Sequence, residues 1–147
     1  MDIVLLMGLQ ASGKTSFYRQ VFKETHVHIS KDLWKNNKPY KQQKLLLESL
    51  NAGRSVVIDN TSPTREERAA LIQTAKTREA KVIGYYFQSR LQDCLERNQN
   101  RDRQVPALGL YATFKKLQLP SLEEGFEALF YVELAEGTFV VSPWEEP

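Results

Sequence analysis

The sequence predicts an α/β fold, a mostly parallel central sheet flanked by helices, from three observations. Short apolar runs alternate with longer amphipathic stretches along the chain, the rhythm of strand-helix units around a parallel sheet. The first run, Ile3–Met7, leads directly into Gly8-Leu9-Gln10-Ala11-Ser12-Gly13-Lys14-Thr15. That octet fits G-x-x-x-x-G-K-[ST], the phosphate loop that joins a strand to a helix. A third run, Ser55–Ile58, ends in Asp59, a carboxylate at the strand end where open parallel sheets gather their ligands.

In chain order, strands are expected at Ile3–Met7, Val27–Ser30, Ser55–Asp59 and Lys81–Phe87, with weaker ones near Phe130–Leu134 and Thr138–Val141. Four or five of these make the sheet. Helices are expected over Lys14–Lys23, Pro39–Asn51, Pro63–Glu79, Leu91–Asn100 and Pro106–Gln118. Ser62 is a good N-cap with Pro63 at the first helical position, and Ala52-Gly53 closes the preceding helix before the third strand. Glu136-Gly137 reads as the turn of a final strand pair. An acidic tail over about residues 142–147, bracketed by Pro143 and Pro147, is expected to be exposed, with Trp144 left either to cap an apolar edge or to meet a partner.

A length of 147 residues suits one domain, 1–147, and 41% hydrophobic with 26% charged residues is ordinary globular usage that suggests neither disorder nor a fibrous repeat. No apolar run approaches the roughly 18–20 residues of a membrane span, and no basic leader is visible, so a cytoplasmic protein without membrane contact is expected. The single cysteine, Cys94, agrees with a reducing compartment. The net charge of +2 conceals an asymmetry: residues 121–147 carry seven Glu and no Lys or Arg, leaving +9 on residues 1–120. Five Lys fall within Lys31–Lys44, a run that reads either as a solvated helix face or as a guide for an anionic partner.

The phosphate loop carries the chemistry. Gly8 and Gly13 let the backbone turn so that successive N–H groups face a phosphate at a helix N-terminus, where the helix dipole also favours anions. Lys14 then reaches the β and γ phosphates, and the Thr15 hydroxyl ligates Mg2+. The ATP-binding candidates are Gly8, Gln10, Ala11, Ser12, Gly13, Lys14, Thr15 and Ser16, and the cofactors implied are ATP and Mg2+.

Asp59 fits a second metal-holding group better than the alternative, a helix-capping or turn Asp before Ser62-Pro63. Asn60 follows it where motor ATPases usually place a water-activating Glu, and no guanine-reading N-K-x-D motif is present, which points to phosphoryl transfer. Asp32, two residues past the second strand, reads as a base for an acceptor hydroxyl or as a helix cap. Arg90, Arg97 and Arg101 lie at i, i+7 and i+11, sharing one helical face, with Arg97 and Arg101 nearest a polar segment that stops at Pro106 and resembles a lid. Cys94, without a nearby His, reads as a buried thiol, and His26 and His28 as two residues on one strand face rather than a zinc site.

Taken together, Gly8–Thr15, Ile29-Ser30-Lys31-Asp32, Val56–Thr61 and Glu96-Arg97-Asn98 through Arg101 to Val105-Pro106 resemble the P-loop polynucleotide 5′-hydroxyl kinases, over about residues 1–131. The resemblance includes Leu122-Glu123-Glu124-Gly125-Phe126 near the end of that family's kinase domain. It implies a P-loop kinase fold with a helical lid over about residues 97–106. It further implies catalytic roles for Lys14, Asp32 (the general base), Arg97 and Arg101 (which contact the γ-phosphate), and acceptor binding at Lys35, Asp59, Asn60 and Thr61. Ser30-Lys31 departs from the family's usual Asn-Arg, and Lys35 lacks the bidentate fork of the usual Arg.

The expected function is ATP-dependent phosphorylation of a 5′-hydroxyl end of RNA or DNA, with a nucleic-acid end as substrate and a separate end-processing protein as a candidate partner. Two alternatives stay open: a small-molecule kinase acting on a sugar, nucleoside or antibiotic hydroxyl, and a nucleotide-gated binding module with slow ATPase activity.

Overall fold

The computed structural model describes residues 1–146. Six strands form one sheet: β1 (Asp2–Met7), β2 (Val27–Ile29), β3 (Val56–Asp59), β4 (Lys81–Phe87), β5 (Ala128–Ala135) and β6 (Thr138–Pro143). Their order is β2-β3-β1-β4-β5-β6, parallel throughout except for β6, which runs antiparallel to β5. The helices are α1 (Lys14–Val21), α2 (Lys38–Asn51), α3 (Arg65–Thr77), α4 (Leu91–Gln99) and α5 (Ala107–Lys116), with short 3-10 turns at Lys31–Leu33 and Leu122–Glu124.

β1 and β3 are apolar without alternation because the sheet is covered on both faces. Ile3, Leu5 and Met7 point to one side, into a core with Leu46 and Leu50 of α2 and Ile72 and Ala75 of α3. Val4 and Leu6 point to the other, against Phe17, Tyr18 and Phe22. Phe17 anchors that layer by edge contacts with the rings of Phe22, Phe87 and Phe139 at 5.2–6.0 Å. A third cluster, Leu9, Cys94 and Leu110, fixes α4 and α5 beneath the loop after β1, and Cys94 is buried there as read from the sequence.

Two expectations are corrected. The sheet has six strands rather than four or five, because both weak runs are complete strands. Glu136 and Gly137 each take positive φ, 52° and 75°, as a two-residue hairpin twisted like its strands requires. Helix α3 starts at Arg65 with Thr64 as its N-cap, accepting from the Glu67 N–H at 3.2 Å. Ser62 cannot serve, since it sits at φ 43° and its carbonyl is taken by the Arg68 guanidinium. The terminus is exposed as expected over Ser142–Glu146, except at half-buried Trp144, and it is held in place. The Trp144 ring lies against Tyr86 and Tyr131 and its backbone N–H donates to the Leu129 carbonyl at 3.0 Å, while Glu146 accepts from the Leu122 N–H at 2.8 Å. Pro147, the last residue of the expected tail, lies outside the described residues.

Register aligns the functional ends. Leu6 pairs with Asp59, and Ile29 pairs with Ile58, so the loop after β1, the Asp32 turn after β2 and the end of β3 emerge side by side.

Candidate active site

The loop from Gly8 to Gly13 leaves β1 and opens α1. Gly8 and Gly13 hold φ of 141° and 105°, where only glycine is comfortable. A Cβ at Gly8 would meet Ser89 Oγ at 2.9 Å and the Phe87 carbonyl at 3.0 Å. The loop is pinned from outside: the Gly8 N–H donates to the Thr61 carbonyl at 3.1 Å, and the Leu9 N–H to Ser89 Oγ at 3.0 Å. Lys14 folds across it, donating from Nζ to the carbonyls of Gly8 at 2.9 Å and Leu9 at 2.6 Å and, more weakly, to Ser12 Oγ at 3.4 Å. Burial pushes its ammonium down to about 8, against the opposing pull of the Asp59 carboxylate.

Thr15 Oγ1 donates to Asp59 Oδ2 at 2.8 Å, and His28 Nε2 lies at 2.8 Å from the same oxygen. Asp59 is almost wholly buried, and the His28 ring stacks on Tyr18 with centroids 4.1 Å apart. A hydroxyl and a carboxylate meeting at one point beside a phosphate loop form the hard-oxygen donor set that suits Mg2+. The two residues the sequence offered as metal ligands are thus brought together. His28, read only as a strand residue, is a third member of this group.

Asp32 sits in the 3-10 turn after β2, its N–H donating to Ser30 Oγ at 3.2 Å. It walls the same crevice of about 880 Å3 as Lys14, Thr15, Asp59, Arg97 and Arg101. Its carboxylate, 67% exposed, reaches the Arg103 guanidinium at 3.6 Å. Arg97 Nη1 donates to the Ala11 carbonyl at 3.5 Å. Arg101 lies just past the end of α4, not on it, and donates from Nε to Asn98 Oδ1 at 3.2 Å. Burial lowers the Arg101 guanidinium from its usual range while Asp32 opposes the change. Asn98 also accepts from the Val105 N–H at 3.0 Å and donates to the Val105 carbonyl at 2.7 Å, closing residues 98–105 into a fixed bend.

Of the other candidates, Gln10, Ala11, Gly13, Ser16, Asn60 and Thr61 line the crevice, whereas Gly8 and Ser12 stand behind it. Lys35 and Arg90 are not brought in. The 3-10 turn ends at Leu33 and Trp34 is extended, so Lys35 does not stack in line with Asp32 and is exposed. Arg90 caps α4 at the opposite end from Arg97. Gln42 and Gln43 of α2, Leu71 of α3 and Leu134 of β5 also wall the crevice, and no motif marked them.

Residues 3–118 match the AAA domain family. The chain is 31% identical over 133 residues to the bifunctional polynucleotide phosphatase/kinase of Schizosaccharomyces pombe, a match that covers 85% of this chain and 32% of that protein. It therefore spans about a third of that relative's length. Among solved structures, the AvrRxo1-ORF1:-ORF2 complex with ATP superposes with a TM-score of 0.74 at 17% identity, over 95% of this chain and 57% of that one. A gluconokinase from Sinorhizobium meliloti 1021 superposes at 0.66 and 17% identity, over 92% and 83%. The chain belongs to the AAA domain family, in its P-loop kinase form.

Proposed function

We propose that this chain is an ATP-dependent kinase that phosphorylates the 5′-hydroxyl end of a nucleic-acid strand. The observation that carries the reading is that Asp32 opens onto the same crevice as Lys14 and the Thr15–Asp59 pair. Asp32, exposed and acceptor-only when ionised, takes the proton from the acceptor hydroxyl. The acceptor oxygen bonds to the γ-phosphorus as the bond from that phosphorus to the bridging oxygen breaks, and ADP departs with the bond's electrons. Lys14, Arg97 and Arg101 offset the negative charge around the migrating group. Mg2+, when bound at Thr15 and Asp59, neutralises charge on the phosphates. The likeness to the polynucleotide phosphatase/kinase supports a nucleic-acid end as substrate.

A second reading, a kinase for a small hydroxylated molecule, is favoured by one observation: Lys35, the residue offered for an acceptor phosphate, stands outside the crevice. One experiment separates the readings. Transfer of labelled γ-phosphate from ATP is measured to 5′-hydroxyl RNA and DNA oligonucleotides and to small alcohols, beside Asp32→Asn. Label on oligonucleotide ends, falling by about 10²–10⁴-fold in the variant, is expected for a general base. Label on small alcohols alone establishes the second reading, and equal transfer by Asp32→Asn removes Asp32 from the chemistry.

A further inference from the structure

Beyond Asp32 the crevice runs between α2 and α3, walled by Pro39, Gln42 and Gln43 on one side and Ala70, Leu71 and Thr74 on the other. The orientation of Gln42 is set by a relay from the Asp32 turn. The Lys31 backbone N–H donates to Asn60 Oδ1 at 2.9 Å, and Asn60 Nδ2 donates to Gln42 Oε1 at 2.8 Å. A backbone N–H can only donate, which leaves Asn60 one orientation; an amide N–H from Asn60 then leaves Gln42 one orientation in turn. With its oxygen engaged, Gln42 offers the crevice the two protons of Nε2. A locked donor facing the apolar side chains of Ala70 and Leu71 suits a flat ring, held by its face and tested at its edge for an acceptor.

We propose that the α2–α3 cleft seats the terminal nucleobase of the acceptor strand and that Gln42 reads its edge. The inference rests on the reading of the chain as a kinase of nucleic-acid 5′ ends. Because Gln42 and Asp32 wall one crevice, a single nucleoside spans them, its base at Gln42 and its 5′-hydroxyl toward Asp32 through the ribose. A donor-only amide favours the carbonyl edges of guanine, thymine and uracil over the exocyclic amines of adenine and cytosine.

The test compares kcat/KM for four 5′-hydroxyl oligonucleotides that differ only in the terminal base, and for a fifth with an abasic terminal nucleotide. Wild type, Gln42→Glu and Gln42→Ala are assayed, with thermal unfolding to verify that both variants are folded. Gln42→Glu keeps an oxygen for Asn60 and removes the protons. Guanine and thymine ends are expected to lead in wild type by about two- to tenfold, the worth of one net hydrogen bond. The abasic end is expected to fall below all four. Gln42→Glu should shift the order toward adenine and cytosine, and Gln42→Ala should flatten it. An abasic end phosphorylated as well as the others, or one base order shared by all three proteins, overturns the cleft assignment and leaves the kinase reading standing. Transfer to small alcohols with none to any oligonucleotide overturns both.

Discussion

Arg68 donates from Nε to Glu124 Oε1 at 2.8 Å and from Nη2 to Glu124 Oε2 at 3.3 Å, with no part of its side chain exposed. Its remaining arm, Nη1, donates to the Ser62 carbonyl at 3.0 Å, so one buried guanidinium ties α3 to the Leu122–Glu124 turn and to the crevice floor. Glu124 closes the group by accepting the Ser121 N–H at 2.9 Å.

Removing one partner of such a pair leaves the other charge buried. Glu124→Ala is therefore expected to lower unfolding stability by about 3–5 kcal/mol. Arg68→Met should cost less, because the Glu124 side chain keeps 10% exposure and the Ser121 N–H. Urea denaturation of the two variants checks the order; a loss under about 1 kcal/mol for Glu124→Ala would show the pair to be structurally idle.

Gly13 meets Phe139 at the phosphate loop. A Cβ there would stand 2.9 Å from the Phe139 ring, at a φ of 105° that disfavours any side chain. The ring cannot easily yield, since it leans on Phe17 at 5.3 Å. Gly13→Ala is expected to weaken ATP binding at least about tenfold, since left-handed strain of roughly 1–2 kcal/mol adds to the clash. Gly13→Ala with Phe139→Leu should recover the part due to the clash and not the part due to backbone strain. Calorimetric ATP affinities decide this: full recovery would assign the whole effect to the ring, and no recovery would assign it to φ.

What was legible in the sequence was what local chemistry fixes. Gly8–Thr15 follows a buried strand and opens a helix, so the loop and the Thr15–Asp59 meeting could be read from a spacing and a strand end. The pieces that were not legible depend on contacts distant in sequence. Arg68 looks like one more charge on an amphipathic helix until Glu124, 56 residues on, is placed beside it. Gln42 and His28 acquire roles only because the parallel register sets β2 against β3. Ser62 satisfied the local rule for an N-cap and lost to Thr64, because a buried guanidinium claims its carbonyl. Lys35 had the right offset from Asp32, but the turn ends at Leu33, two residues before it.

Lys14 makes the site's protonation measurable. Its folded value of about 8 lies below the 10.5 of an unfolded lysine, chiefly because the ammonium is buried. Below about pH 8 both states hold the proton and the full cost of burying the charge stands. Between about 8 and 10.5 the unfolded chain binds more protons than the folded one, so this group makes stability rise with pH across that window. Lys14→Met lacks the titration, and the difference between the two proteins in thermal unfolding should be flat below pH 7 and grow in favour of wild type above pH 8. Phosphates held by the loop favour the charged lysine, so ATP binding at pH 8.5 should take up a proton and at pH 6.5 should not. Calorimetry in two buffers of different ionisation enthalpy reads that uptake directly. If the heats agree in both buffers at pH 8.5, Lys14 is already fully charged before the nucleotide arrives, and its burial does not shift its titration.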